Sequence, residues 1–277
     1  MSQPSISTVK AYYDERIEGK IRDFTHANPR IEKAFAELRN WLPENVGKIL
    51  EIGCGVGATS WRVACMNPDC TVLGVDVSAR SIEVAQTCFR EPNLAYRELL
   101  LEKGALGDRF DYVIMMDVYE HIAAENRRTL HEALAEVLSS KGRIFLSFPT
   151  PRHLQWLRSH HPDQIQPIDE AITPEILSGL ANDLEGRLLF YREVSIWRTG
   201  DYAHAVVGRD QGIDVLSAPA PGVSIPFFGW VGRLIDRGKA NVAARVSSRR
   251  RAARVRPWYA ARSYKAAYLG DQSSRKC

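Results

Sequence analysis

The stretch that decides the fold lies at residues 48–60 and reads KILEIGCGVGATS. Ile49, Leu50 and Ile52 form a short apolar run, which is typical of a buried strand in a parallel sheet. Glycines then stand at every second position, and a helical pattern begins near Thr59. A strand, a glycine turn and a helix N-terminus, in this order, allow a backbone to approach a nucleotide-like ligand closely. The stretch therefore predicts an α/β fold with a ligand site at the end of its first strand.

The spacing of these glycines differs from that of two well-known glycine-rich loops. A phosphate-binding loop would carry a lysine before Thr59, and this loop has none. A dinucleotide site would place its third glycine three residues after the second, where Ala58 stands. Two acids accompany the loop instead, because Glu51 lies two residues before the first glycine and Asp76 ends the second predicted strand. The loop therefore matches neither of the two phosphate sites.

This combination resembles motif I of the class I S-adenosylmethionine (SAM) methyltransferases. The resemblance covers about residues 8–210, and segment 117–122, DVYEHI, is similar to the Asp-x-x-Glu-His-Ile that often follows the family's fourth strand. It implies a Rossmann-like α/β fold, with a seven-stranded, mostly parallel sheet, helices on both faces and a last antiparallel strand. It also implies SAM as the cofactor and S-adenosylhomocysteine (SAH) as the product. SAM carries an amine and a sulfonium but no phosphate, so acids can replace the anion-binding features of a nucleotide site.

The resemblance also implies roles for individual residues. Asp76 would accept the two ribose hydroxyls, and Glu98 would meet the adenine amino group, although Glu102 is close enough to compete. His121 is the candidate catalytic base, or else a support for the cofactor pocket. The cofactor-binding residues that the resemblance implies are Glu51, Gly53, Cys54, Gly55, Gly57, Asp76, Val77, Glu98, Leu99, Met116 and Asp117.

The rest of the chain divides into a cap, a domain and an extension. Residues 1–45 are predicted as an N-terminal helical cap, with one amphipathic helix that starts at Asn28 and Pro29. Within this cap, Tyr12 and Tyr13 either lie near the cofactor, as a Tyr-Tyr-Asp element does in the family, or only pack. Residues 46–210 are predicted as the methyltransferase domain, in which Ser78 caps the helix after the second strand.

Residues 150–172 do not fit the repeating pattern of strands and helices. The interval contains Trp156 and three histidines, and the family uses this part of the chain to cover or bind the acceptor. His153, His160 and His161 lack the flanking carboxylates of a metal site, so no metal is predicted. We expect a polar lid that can stack on an acceptor, with a plain solvated loop as the alternative.

The charge distribution separates residues 211–277 from the domain. Residues 231–277 contain 13 Lys and Arg against two acids, a net charge of +11, whereas residues 1–230 contain 24 basic and 31 acidic residues, a net charge of −7. The sequence Ala-Pro-Ala-Pro-Gly at 218–222 is typical of a linker. The extension that follows is predicted as a solvated tail, as an amphipathic segment on an anionic membrane across residues 226–270, or as a nucleic-acid contact.

Composition indicates where such a chain works. The absence of a signal peptide and of an apolar run of about 20 residues predicts a cytoplasmic protein, with a peripheral place at the inner membrane face if the extension binds lipid. Five cysteines without a C-x-x-C pair predict reduced thiols.

Three functions remain open from the sequence. The first is methyl transfer to an O, N or C atom of a small-molecule, sugar or lipid-linked acceptor. The alternatives are a nucleic-acid methyltransferase that docks through the basic extension and a SAM-binding module without chemistry. The chain lacks the Asp/Asn-Pro-Pro-Tyr and Pro-Cys motifs of enzymes that methylate planar amino groups or cytosine carbon, which favours the first function.

Overall fold

The secondary structure follows the predicted alternation of strands and helices. The structure, a computed structural model, describes residues 5–43, 46–209 and 254–255. The strands are β1 (Lys48–Ile52), β2 (Thr71–Asp76), β3 (Leu94–Glu98), β4 (Phe110–Met116), β5 (Leu138–Pro149), β6 (Gly186–Val194) and β7 (Tyr202–Arg209). The helices are α1 (Ile6–Glu15), α2 (Ile17–Thr25), α3 (Pro29–Trp41), α4 (Ala58–Met66), α5 (Ala79–Cys88), α6 (Arg127–Val137), α7 (Pro151–His160) and α8 (Pro174–Asp183). Short 3₁₀ turns lie at Tyr119–His121, Ala124–Asn126 and Pro162–Gln164.

The strands form one sheet of seven in the order β3-β2-β1-β4-β5-β7-β6. Strands β3, β2, β1, β4 and β5 pair in parallel, whereas β7 pairs antiparallel to both β5 and β6. This topology confirms the predicted mostly parallel sheet with a last antiparallel strand. Because β1, β2 and β4 are parallel neighbours, the residues that follow their carboxyl ends meet at one edge of the sheet.

Helices cover both faces of the sheet, because side chains that point to opposite faces of the central strands both pack against helices. Leu50 and Val113 point into a buried cluster with residues of α6 and α8. Ile49 and Tyr112, their sequence neighbours, point into a second buried cluster with residues of α3 and α4. Both faces of the central strands are therefore apolar, as expected for a parallel sheet.

Two predicted helix caps are confirmed. The Asn28 side chain accepts a hydrogen bond from the Arg30 N–H at 3.0 Å, and Pro29 takes the first position of α3. The Ser78 hydroxyl accepts the N–H of Ser81 at 3.0 Å and starts α5. The Ser78 cap fixes the turn that follows Asp76.

The cap at the N-terminus contains more helices than predicted. The prediction of a single helix before β1 was wrong, because α1 and α2 precede α3 and meet at Arg16. Ile17, Ile21 and Phe24 bury one face of α2 against α5. These residues stand at helical spacing, but the many polar residues around them masked the pattern in the sequence.

The interval 150–172 also holds regular structure. Thr150 caps α7 by accepting the N–H of His153, and Pro151 takes the first position of that helix. The sequence therefore contained the same start signal there as at Asn28 and Pro29. The alternative of a plain solvated loop is therefore wrong for residues 151–160, which are helical.

The basic extension lies outside the described residues except at two positions. Arg254 and Val255 are helical, and Val255 is buried in the cluster that α2 and α5 form. Arg254 pairs with Glu91 at 3.2 Å, and its guanidinium lies 3.8 Å from the ring centre of Trp61. The predictions for 211–253 and 256–277 therefore stay predictions.

None of the helices in the described part of the chain is long and apolar enough to cross a bilayer. Cys54, Cys70 and Cys88 are buried free thiols, and Cys65 is an exposed one.

Candidate active site

The glycine loop after β1 adopts a conformation that requires its glycines. Gly53, Gly55 and Gly57 have φ angles of 67°, 55° and 87°, in the left-handed region that side chains disfavour. A Cβ at Gly57 would lie 2.7 Å from the Cβ of Ala85, and one at Gly53 would overlap the side chain of Val118. The loop is therefore held tightly against α5 on one side and against the segment after β4 on the other.

Gly55 differs from Gly53 and Gly57 in the atoms that surround it. A Cβ there would lie 3.4 Å from the Lys20 Nζ, which is the end of a flexible side chain. The loop backbone at Gly55 is thus buried and lies against the Lys20 side chain of α2. Because the Lys20 side chain is flexible, it can move to let a ligand lie against the loop at this point.

The two acids beside the loop have different tasks. The Asp76 carboxylate accepts hydrogen bonds from the backbone N–H groups of Gly55 and Ser78, both at 2.8 Å, and so fastens the loop to the end of β2. Each oxygen keeps a further lone pair for a ligand hydroxyl. The Glu51 carboxylate accepts the Ser60 hydroxyl, and burial raises the pKa of Glu51 to about 8. Glu51 therefore supports the loop from the sheet side.

The N-terminal cap lies over this loop. Asp14 accepts the Ser78 hydroxyl at 2.5 Å, and the Lys20 Nζ lies 4.8 Å from the ring centre of Tyr13. Burial raises the pKa of Tyr13, and the charge of Glu120 raises it further. The structure thus brings the Tyr-Tyr-Asp element to the loop. Lys20 could not be identified from the sequence, because it belongs to no motif and comes close to Gly55 only through the packing of α2.

The residues expected around an adenine are partly engaged elsewhere. Glu98, at the end of β3, pairs with Lys10 of α1 at 2.9 Å. The Leu99 N–H donates to the Asp76 carbonyl at 2.9 Å. Val77 is half-buried between Asp76 and the cap of α5. Their role toward a cofactor stays a prediction.

The chain turns sharply after Met116 at the end of β4. Asp117 has a φ of 55°, and its N–H donates to the Ser147 carbonyl at 2.8 Å. Its carboxylate forms a half-buried ion pair with Arg30 of α3 at 2.8 Å. Although burial opposes it, the charge of Asp117 raises the pKa of Arg30. The second carboxylate oxygen, Oδ1, is buried and has no hydrogen-bond partner among the described residues.

His121, the predicted base, is held by main-chain and side-chain acceptors. Its Nδ1 lies 2.7 Å from the carbonyl oxygen of Ile168 and 3.2 Å from Oδ1 of Asp169. Because a carbonyl oxygen can only accept, Nδ1 carries a proton, and Nε2 is the nitrogen left to accept one. Nε2 lies 3.7 Å from Oε1 of Glu120.

The pKa values of His121 and Glu120 differ from those of free side chains. Burial lowers the pKa of His121, but the charge of Glu120 and the hydrogen bond with Asp169 outweigh it and raise that pKa overall. Burial also raises the pKa of Glu120, whose Oε2 finds no partner within the described part of the chain. Because Asp169 is 48 positions away from His121 and belongs to no motif, this rise in the pKa of His121 cannot be predicted from the sequence.

A cavity of about 330 Å³ opens at this pair. Its size suits a small organic molecule. The lining residues come from α3, the turn after β4, α7, the segment 161–169 and the loop between β6 and β7. They are Asn28, Arg30, Glu120, His121, Pro149, His153, Leu154, Trp156, Leu157, His161, Gln164, Gln166, Asp169, Trp197, Arg198 and Tyr202.

The three histidines of the lid gather around one ring. The ring centres of His153, His160 and His161 lie 6.1, 4.9 and 5.0 Å from that of Trp156. Within the ranges described, no group of three or more His, Cys, Asp or Glu side chains is placed to hold a metal ion. The histidines thus belong to an aromatic wall.

Comparison with known proteins agrees with this geometry. Residues 50–144 match the model of a family described as a methyltransferase domain. A ubiquinone biosynthesis O-methyltransferase of Agrobacterium fabrum is 29% identical over 193 residues, which cover 58% of this chain and 74% of that protein. An uncharacterized protein of Rickettsia prowazekii is 30% identical over 149 residues, which cover 52% of this chain. The chain spans 59% of the length of that relative.

Solved structures show the same architecture. The magnesium protoporphyrin IX methyltransferase of Synechocystis PCC 6803, solved with bound SAH, superimposes with a TM-score of 0.60 at 18% identity. The superposition covers 74% of this chain and 100% of that one. The chain therefore has the fold of this SAH-bound methyltransferase, in agreement with the match of residues 50–144 to the methyltransferase domain.

The residues at the loop fit a methyl donor of the SAM type. The backbone at Gly55 is covered by the flexible Lys20 side chain, which can move aside for a ligand and meet its carboxylate. Asp76 offers acceptor oxygens for hydroxyls. Oδ1 of Asp117 has no hydrogen-bond partner among the described residues, so it can accept a hydrogen bond from an ammonium group. The donor and acceptor set therefore agrees with the amine, carboxylate and ribose of SAM.

Proposed function

We propose that the protein is a SAM-dependent methyltransferase that methylates a hydroxyl oxygen of a small molecule. The observation that carries this proposal is the position of the Glu120–His121 pair. The pair lines a cavity of small-molecule size. Val118, in the same segment, packs directly against Gly53 of the glycine loop. A donor held at the loop and an acceptor held in the cavity would thus meet at this segment.

Oxygen is favoured over nitrogen and carbon by the basicity of His121. A phenolic hydroxyl has an ordinary pKa of about 10, and its proton passes more readily to a stronger base. The flanking carboxylates raise the pKa of His121 toward that range. The similarity to an enzyme named as an O-methyltransferase supports the same choice.

The residues of the chain have separate tasks in this reaction. SAM, when bound, supplies an electrophilic methyl group and leaves as SAH. The His121 Nε2 accepts the proton of the acceptor hydroxyl as that oxygen attacks the methyl carbon. Asp169 and the Ile168 carbonyl fix the imidazole ring and stabilise the imidazolium that forms. Glu120, 3.7 Å from Nε2, adds to that stabilisation when it is ionised.

The test is methyl transfer from tritium-labelled SAM to simple phenols and catechols. His121→Ala is expected to lower kcat by about 10²- to 10⁴-fold and to leave the affinity for SAH unchanged. Because the base works only when unprotonated, the rate of the wild type is expected to rise with pH into the alkaline range. Retained turnover together with a loss of SAH affinity would instead make His121 a support of the cofactor pocket. An absence of transfer to every phenol and catechol would contradict the proposal for hydroxyl oxygen.

A further inference from the structure

The loop between β6 and β7 is fixed more firmly than a surface turn requires. The buried carboxylate of Asp201 accepts three backbone N–H groups, those of residues 196, 197 and 198, at 2.7, 2.8 and 2.9 Å. Thr150, which caps α7, donates its hydroxyl to the Gly200 carbonyl at 2.8 Å. The loop is thereby attached to the helix that forms the aromatic wall. Residues held at both ends in this way are suited to present side chains in a fixed position.

Two of the side chains that this loop presents line the cavity. Trp197 is 56% exposed and makes an edge contact with Tyr202, with 6.1 Å between the ring centres. The Arg198 guanidinium lies 3.6 Å from the ring centre of Trp156. An exposed indole beside a guanidinium gives the cavity a surface for a flat ring and a positive charge next to it.

Arg198, an exposed residue, supplies a permanent positive charge to the lining of the cavity. The other arginine of the lining, Arg30, is paired with Asp117, and the acids of the lining, Glu120 and Asp169, flank His121. Over residues 5–43, 46–209 and 254–255, no carboxylate forms an ion pair with Arg198.

The one acid of the loop itself, Asp201, is occupied by backbone N–H groups. Those bonds outweigh the effect of its burial and lower the pKa of Asp201, so it stays ionised. The three N–H groups leave it poorly placed to neutralise a guanidinium as well.

His153 adds a second feature that points to a ligand. Its ring lies parallel to that of Trp156, at an angle of 10°, and it lines the same cavity. Its Nδ1 is buried and has no hydrogen-bond partner in the described part of the protein. Burial lowers the pKa of His153, although the charge of Asp201 opposes it and that of Arg198 adds to it, so the ring is neutral and adds no charge at neutral pH. One guanidinium and one neutral imidazole match a single negative charge.

We propose that the acceptor is an aromatic monocarboxylate whose carboxylate is bound by Arg198 with His153, while its hydroxyl lies at His121. The proposal rests on the proposed function for the site of the hydroxyl, but the recognition of the carboxylate is separate from methyl transfer. A guanidinium and a carboxylate form charge-assisted hydrogen bonds that an uncharged amide cannot replace. Arg198 is therefore the residue that distinguishes acids from their neutral analogues.

The test compares 3,4-dihydroxybenzoate with 3,4-dihydroxybenzamide, which has the same shape and no charge. Each probe is titrated calorimetrically into the full chain, with and without SAH. The wild type is expected to bind the acid about tenfold to a hundredfold more tightly than the amide. Arg198→Gln should remove this preference, and Arg198→Lys should retain part of it.

Arg128→Gln is the matched control. It removes one positive charge from an exposed pair with Glu132 on α6, outside the cavity lining, so the preference should persist. Equal affinities for the two probes, no detectable binding of the acid, or a preference that survives in Arg198→Gln would overturn the proposal. Failure of SAH to bind would count against the proposed function instead, and the titrations without SAH would still decide the preference.

Discussion

Replacement of Gly55 by alanine separates the fold of the glycine loop from its contact with a cofactor. The φ of Gly55 is 55°, and the new Cβ would meet only the flexible end of Lys20, at 3.4 Å. The variant should therefore lose about 1–2 kcal/mol of stability, the cost of a side chain in the left-handed region. Gly104→Ala should lose about the same amount, since Gly104 has a φ of 79° and nothing within 4 Å of the added atom.

The two variants should differ in cofactor affinity. At Gly55 the methyl group adds bulk to the loop beside Lys20, where the cofactor is proposed to lie, so the affinity for SAH should fall at least about tenfold, equivalent to about 1.4 kcal/mol. At Gly104, in an exposed loop after β3, the affinity should not change. Urea unfolding measures the stabilities and calorimetry the affinities. An unchanged SAH affinity in Gly55→Ala, with the expected loss of stability, would refute the placement of the cofactor against this backbone.

Two further predictions concern other parts of the chain. Burial, with the charges of Arg192 and Lys33, lowers the pKa of His204 to about 4, below the 6.5 of an unfolded chain, and neither ring nitrogen has a partner among the described residues. Protonation therefore favours the unfolded chain, and up to about 3 kcal/mol of stability should be lost as the pH falls from about 6.5 to 4; His204→Leu should lack this loss in urea titrations, and an identical pH dependence would contradict it. For the basic extension, residues 226–270 should bind liposomes only when these contain anionic lipid, and less at high salt. Truncation at Pro219 should abolish that binding and leave SAH affinity intact, whereas equal binding to neutral liposomes would reject the electrostatic explanation.

The sequence predicted the central part of the fold because the relevant signals are local. The apolar run before Gly53 identifies β1, and the acid at position 76 identifies the end of β2. Helix starts at Asn28 and Ser78 follow from side chains that bond to their own turn. Such features depend on a few consecutive residues, so they can be recognised without knowledge of the rest of the chain.

The parts of the site that sequence reasoning missed depend on packing between distant segments. Lys20 comes near Gly55 only because α2 buries Ile17 and Ile21. Asp169 changes the basicity of His121 across a separation that no motif spans. The acids predicted to bind a ligand also turned out to have structural partners, as Glu51 has in Ser60. Chemistry at a site is therefore harder to predict than its place in the fold.

The most direct test of the central claim is a calorimetric titration of SAH into the wild type and into Asp76→Ala. If the domain binds SAM through Asp76, SAH should bind the wild type, and the variant should lose about 1.5–3 kcal/mol of binding free energy, a factor of about 10 to 150. Asp108→Ala, which removes an exposed acid paired with Lys48, should bind as the wild type does. A wild type that does not bind SAH, or an Asp76→Ala variant that is folded and binds it with undiminished affinity, would contradict the account.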